Sequence, residues 1–233
     1  MTRDNPGARD GERLWFAVKG IDTALPDGVQ LSARMIVLFE ANARVSKKID
    51  KREAILEAML DLVVKRGFHD APMSVLARRS GASPGVIYHY FASKDALIRA
   101  VYEHVERIKH EAFFKGYSER MSAREALLHI WLNAYDFYRT HTKEARFLEQ
   151  YLNSPYCKTA GGDEKDAKDP TMKRIIKWMR PKKHGGILRD LPAEAIDSLT
   201  LGLAASLAKS STEFSRPTLR SIAETVWTAI AEE

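Results

Sequence analysis

From Ser46 onward the apolar positions fall at helical spacing. Ile55, Leu56, Met59, Leu60, Val63 and Val64 recur at i, i+1, i+4, i+5, i+8 and i+9. That spacing lays a broad apolar stripe along one face of a helix, and charged residues fill the other face. Gly67 stands where a C-cap is expected. The pattern then predicts a short helix over 73–80 and a turn at Gly81-Ala82. A second short helix runs from Pro84 to about Phe91, with Ser83 as its N-cap and Pro84 as its first helical residue. Ser93 is placed to cap a longer helix from Lys94 to about Lys115.

Downstream the same period continues. Ser122-Ala123-Arg124-Glu125 fits a capping box, followed by Leu127, Ile130, Trp131, Ala134 and Tyr138 on one face. Thr142 is the expected cap of a helix holding Phe147, Leu148, Tyr151 and Leu152. Residues 153–170 form the one clear internal loop, and helices follow over 171–183, 192–210 and 217–232. With no convincing strand, no internal repeat and no low-complexity tract, the expected fold class is all-α.

Residues 1–45 lack sustained periodicity and are expected to hold little stable structure beyond a short helix around 31–43. Two readings stay open for them: an appendage, or an over-long assigned start with Met35 in frame. The remainder divides into a segment 46–110 and a segment 111–233.

Composition narrows the choice. The 233 residues are 45% hydrophobic and 29% charged, ordinary for a globular chain, and the formal charge of +6 (pI 9.3) leans basic. Its placement matters more than its size. Residues 44–110 hold 13 Lys/Arg against 8 Asp/Glu, net +5, which leaves about +1 for the other 166 residues. Cys157 is the only cysteine, which excludes an intramolecular disulfide and a Cys-rich zinc site and makes a reducing, cytoplasmic setting the expectation. The apolar run Met35 to Phe39 is too short for a signal-peptide core or a membrane span.

Elements over 49–67, 73–80 and 84–91, with a Gly turn between the last two, make a helix-turn-helix arrangement with its motif at about 72–91. In such a unit the second short helix enters the DNA major groove, and its N-terminal amides and dipole favour phosphate. The sequence crowds Tyr88, His89, Tyr90 and Phe91 into four consecutive positions, which run right round a helix. Ile87 and Phe91, four apart, suit the core, Tyr88 and His89 face the other way, and Tyr90 stands between.

The stretch YHYFASKDAL, preceded by ARRSGASPGVI, closely resembles the DNA-binding domain of TetR-type transcriptional regulators over roughly residues 49–100. The resemblance implies that Tyr88 and His89 meet DNA backbone or base edges, that Lys94 holds a phosphate, and that Ser83, Pro84 and Gly85 sit at the groove; Tyr90, between the core side and the DNA side, is counted with the DNA-binding residues. Family members often open the second helix with a threonine pair whose hydroxyl binds phosphate. Ala71-Pro72 stand there in this chain, so Ser74 or a backbone amide is expected to substitute. The resemblance further implies a helical C-terminal domain that binds ligand and dimerises. The chain is then a homodimeric, ligand-responsive repressor on a palindromic double-stranded operator, with an unidentified small-molecule effector. The alternative is a DNA-binding regulator controlled by a protein partner instead of a ligand.

The aromatics Trp131, Tyr135, Tyr138, Phe147 and Tyr151 are numerous for one region; most suit a core, and some are expected to line a pocket. Leu199, Leu203 and Leu207 follow a heptad-like rhythm among small residues, and Ile222, Val226 and Ile230 make a matching stripe. Both stripes are either internal or the halves of a four-helix dimer interface, the arrangement the resemblance implies. Gly161-Gly162-Asp163-Glu164 matches the opening of a cyclase signature by chance, in an acidic loop instead of a hairpin. The seven histidines show no ligand spacing, and no nucleophile elbow or phosphate loop occurs. No metal, cofactor or enzymatic activity is expected, and Cys157 beside Lys158 is read as an ordinary loop thiol.

Overall fold

The computed structural model of the protein describes residues 51–157 and 170–232. The expectations for 1–45, for Lys158 and for Gly161–Glu164 lie outside these residues. The first helix, α1, is described over 51–66, and its stripe is buried as the spacing requires, with Ile55, Leu56, Met59, Leu60 and Val63 fully inaccessible. It is followed by α2 (Met73–Ser80), α3 (Pro84–Tyr90) and α4 (Lys94–Phe113). Ser83 and Ser93 cap α3 and α4, their hydroxyls accepting from Val86 N–H at 3.4 Å and Ala96 N–H at 3.0 Å. The tight turn after α2 depends on Gly81, whose φ of 62° lies in the left-handed region.

Six helices follow: α5 (Ala123–Thr140), α6 (Thr142–Leu152), α7 (Pro170–Trp178), α8 (Ala193–Asp197), α9 (Leu203–Lys209) and α10 (Arg216–Ile230). The capping box of α5 is complete: Glu125 N–H donates to the Ser122 hydroxyl, and Ser122 N–H donates back to the Glu125 carboxylate at 2.8 Å. α5 lies at the centre of the C-terminal half, packed against α4, α6, α9 and α10. Among the described residues β structure is limited to isolated bridges joining Leu188 to Pro181 and to Ala231. The fold is all-α, and no described helix is long and apolar enough to cross a membrane.

Three expectations are corrected. Thr142 opens α6 as its first residue, the N-cap being His141, whose side chain makes no capping bond. The helix expected over 171–183 stops at Trp178, because Pro181 has no amide hydrogen and cannot continue it. Beyond it Gly186 presses on the Arg180 carbonyl so closely that a Cβ there would lie 1.9 Å from the oxygen. The single helix expected over 192–210 is broken by a π-helical stretch, Ser198–Gly202, between α8 and α9.

Candidate nucleic-acid interface and cavity

α2 and α3 are short and contribute few buried side chains, so their placement rests on a few residues. Leu76 and Ile87 are fully buried and Phe91 nearly so, pinning both helices to α1 and α4. The opposite side of α3 is left in the open. Tyr88 is 51% accessible, and Ser83, Pro84, Gly85 and His89 are exposed with it, as is Ser74 on α2. Tyr90 is half-buried and packs on the edge of the core, its ring 5.5 Å from His89 and 6.3 Å from Phe91. A Cβ on Gly85 would meet nothing within 4 Å, so no contact inside the described chain requires glycine there.

Lys94 stands differently from the expectation. Its ammonium donates to the Phe68 carbonyl at 2.8 Å, which ties the start of α4 to the end of α1. An ammonium has three donors, so the group is a structural tie with hydrogen-bonding capacity left over. Arg52, which the sequence reading did not single out, lies 5.5 Å over the Phe91 ring. Its spacing from Phe91 spans three helices, so no local signal could have revealed it.

Residues 55–101, from the buried stripe of α1 into α4, match the family model of bacterial regulatory proteins, tetR family. The matched segment is of the TetR type. Over 50 residues it is 42% identical to the HTH-type transcriptional regulator BetI of Klebsiella pneumoniae, and equally to UidR of Escherichia coli. Each of these alignments covers 22% of this chain and 26% of the relative. The likeness to solved structures extends further. A TetR family transcription regulator from Marinobacter aquaeolei aligns with a TM-score of 0.68 at 20% identity, over 81% of this chain and 99% of its own. One from Haemophilus influenzae aligns with a TM-score of 0.65 at 24% identity, over 80% and 99%. These two likenesses show that the chain shares their fold through both halves.

The aromatics expected around a pocket do something else. Phe147 and Tyr151 of α6 are fully buried and meet Phe68, at the end of α1, edge-on at 5.9 and 6.3 Å. Tyr102 of α4 stacks on Tyr151 at 4.2 Å. Burial first, then the charges of Glu106 and Tyr151, push the Tyr102 hydroxyl up to about 12. Tyr135 is buried in the core, and Tyr138 packs edge-on to Phe113 at 6.0 Å. Four of the five residues are therefore packing groups, and the α6 pair forms a joint between the N-terminal helices and the rest.

Ion pairs flank that joint. The Lys143 ammonium of α6 donates to Glu57 Oε2 of α1 at 2.6 Å and lies 3.5 Å from Asp61. His104 of α4 is buried, with Nε2 facing Glu57 Oε1 at 3.1 Å and Nδ1 3.2 Å from Glu53. Burial alone would raise the Glu57 carboxyl, but the hydrogen bonds and charges of Lys143 and His104 outweigh it and hold the group below its ordinary range. Desolvation likewise opposes the charged form of Lys143, yet its hydrogen bond to Glu57 and three nearby carboxylates raise it. One carboxylate thus joins three helices.

Trp131 alone of the five expected residues lines a cavity, of about 310 Å³. The cavity lies between the second half of α4, the start of α5 and the whole of α7, with Trp227 of α10 at one side. The Trp131 indole N–H donates to the Thr200 carbonyl at 3.0 Å, inside the π-helical stretch. The stripes expected to dimerise are divided as well. Leu199 is 40% accessible and Leu203, Leu207 and Ile222 are half-buried, but Val226 and Ile230 are buried within this chain. Those two belong to the core, on a helix that packs against α5.

Proposed function

We propose that the protein is a DNA-binding transcriptional regulator that acts as a homodimeric repressor and is released by a small molecule. The observation that carries this reading is the division of α3: Ile87 is fully buried, while Tyr88 and His89 are presented outward, in the segment that holds most of the chain's net positive charge. Ser83, Pro84 and Gly85 bring the exposed start of α3 to the groove, where the lack of a side chain at Gly85 lets a backbone approach closely. Ser74 stands at the start of α2, where a hydroxyl reaches a phosphate, and Tyr90 shapes the edge of the contact. Lys94 contributes by fixing α4, with its spare donors turned to phosphate.

Two copies joined through Leu199, Leu203, Leu207 and Ile222 set two α3 helices about one DNA turn apart, roughly 34 Å, which suits a palindromic operator. Ligand shifts the equilibrium between dimer arrangements by its differential affinity for them. α4 runs from the DNA-binding helices to the cavity wall and is the element that both ends share.

The test is selection of bound fragments from random double-stranded DNA by the full chain, followed by affinity measurements across a salt series. An inverted repeat is expected, with affinity falling steeply as salt rises, because phosphate contacts release counterions. A flat salt response, or no enriched sequence, overturns the reading.

A further inference from the structure

The cavity wall carries a definite chemical preference. About 310 Å³ is the size that takes one small molecule. Three of the chain's four tryptophans, Trp131, Trp178 and Trp227, contribute to it, among isoleucine, leucine and methionine side chains. The charged groups at its margin are already engaged. Glu106 accepts from Lys109 at 2.6 Å, so each cancels the other. The Arg174 guanidinium covers the Trp178 ring at 4.4 Å and donates to the carbonyls of Glu119 and Met121.

A carboxylate entering this space would find Lys109 neutralised. An ammonium would find Glu106 neutralised and a cation already on the face of Trp178. Either ion would lose its hydration without meeting an unpaired opposite charge, which is heavily disfavoured. The unused polar capacity is of another kind. The indole N–H groups of Trp178 and Trp227 and the imidazole of His110, which stacks on Phe114 at 4.5 Å, have no hydrogen-bond partner among the described residues. The Thr200 hydroxyl spends its proton on the Ile196 carbonyl at 2.6 Å. Among the lining residues, then, the groups left without a partner are two neutral donors on half-buried tryptophans and one exposed imidazole, and the rest of the wall is largely apolar.

We propose that this cavity binds an uncharged, largely apolar small molecule that carries a hydrogen-bond acceptor such as a carbonyl or an ether. Its consequence for DNA rests on the regulatory reading above; the binding itself does not. α4 supplies Glu106, His110, Phe113 and Phe114 to the wall, so occupancy acts on the helix that Ser93 starts beside α3.

The experiment uses the full chain and the neutral dye Nile red, with tryptophan quenching and dye emission as readouts. Three competitors share one ring system: 2-acetylnaphthalene, 2-naphthoate and a naphthylmethyl-trimethylammonium ion. The dye is expected to bind, and the ketone to displace it at concentrations at least ten-fold lower than either ion. Leu127→Trp and Ile130→Trp, which fill the cavity, are each expected to abolish dye uptake with an unchanged melting transition. Absence of dye binding, displacement by an ion as good as by the ketone, or dye uptake surviving both filled variants overturns the proposal. Retention of DNA is measured on the same preparation. Dye refusal with DNA retained overturns the ligand inference alone, and dye uptake with ketone selectivity but no DNA binding supports it while overturning the regulatory reading.

Discussion

Removing Lys143 tests whether Glu57 fastens α1 to α6. At 2.6 Å, the bare attraction in a medium of effective permittivity 20 would be about 6 kcal/mol. The two side chains are 36% and 41% accessible, so water and ions screen the pair and most of that is lost. A coupling energy of about 1 kcal/mol is expected from a double-mutant cycle of Glu57→Gln and Lys143→Met, read by urea unfolding at neutral pH and low salt. Lys143→Met is expected to be the costlier single change, because it leaves Glu57 near Asp61 and Glu144 with the shared cation gone. The folded Glu57 carboxyl titrates below its ordinary value of 4.5, so this stability is complete above that value and is lost as pH falls through the folded one. The coupling should therefore shrink below pH 4.5 and at high salt. A cycle giving less than about 0.3 kcal/mol at low salt, or a coupling that survives acidification, refutes the reasoning.

Ser93→Ala removes the N-cap of α4 and should lower stability by about 1 kcal/mol in the same unfolding assay. Phe91→Ala empties a site only 5% accessible and should cost about 3 kcal/mol or more, with loss of α3 from its seat seen as faster amide exchange there. Tyr88→Ala, at a half-accessible position, should leave stability within about 0.5 kcal/mol while weakening operator affinity in a gel-shift titration. Tyr102 titrates at about 12, so its contribution is complete below pH 10 and is lost as pH rises through the folded value. In an absorbance titration of tyrosinate, Tyr102→Phe should remove a late-titrating component.

The sequence exposed this architecture unevenly, for physical reasons. Helix starts rest on local chemistry, so Ser83, Ser93 and the Ser122–Glu125 box were readable from neighbouring residues alone. The two sides of α3 followed from the same spacing. The partners of buried aromatics are set by tertiary packing, and Phe147 and Tyr151 look the same in a sequence whether they line a cavity or close a joint. His104 reaches Glu53 and Glu57 only because α1 and α4 meet there, a meeting that no linear pattern records. The π-helical stretch was likewise hidden, since Pro192–Ser210 carries an unbroken apolar rhythm. Gly202 was its one trace: a Cβ there would lie 3.2 Å from the Asp197 carbonyl, so the wide turn favours glycine.

The joint at α6 bears on how such chains can be recombined. Phe68 lies in the turn just after α1, yet its ring is covered by Phe147, Tyr151 and Tyr156, and Glu57 takes its cation from Lys143. The first four helices cut from this chain at the end of α4 would leave with an uncovered ring and with Glu57 held by His104 alone. A graft of the first four helices of this chain therefore has to carry a patch of α6 along, and the unit that transfers intact is larger than α1 to α4.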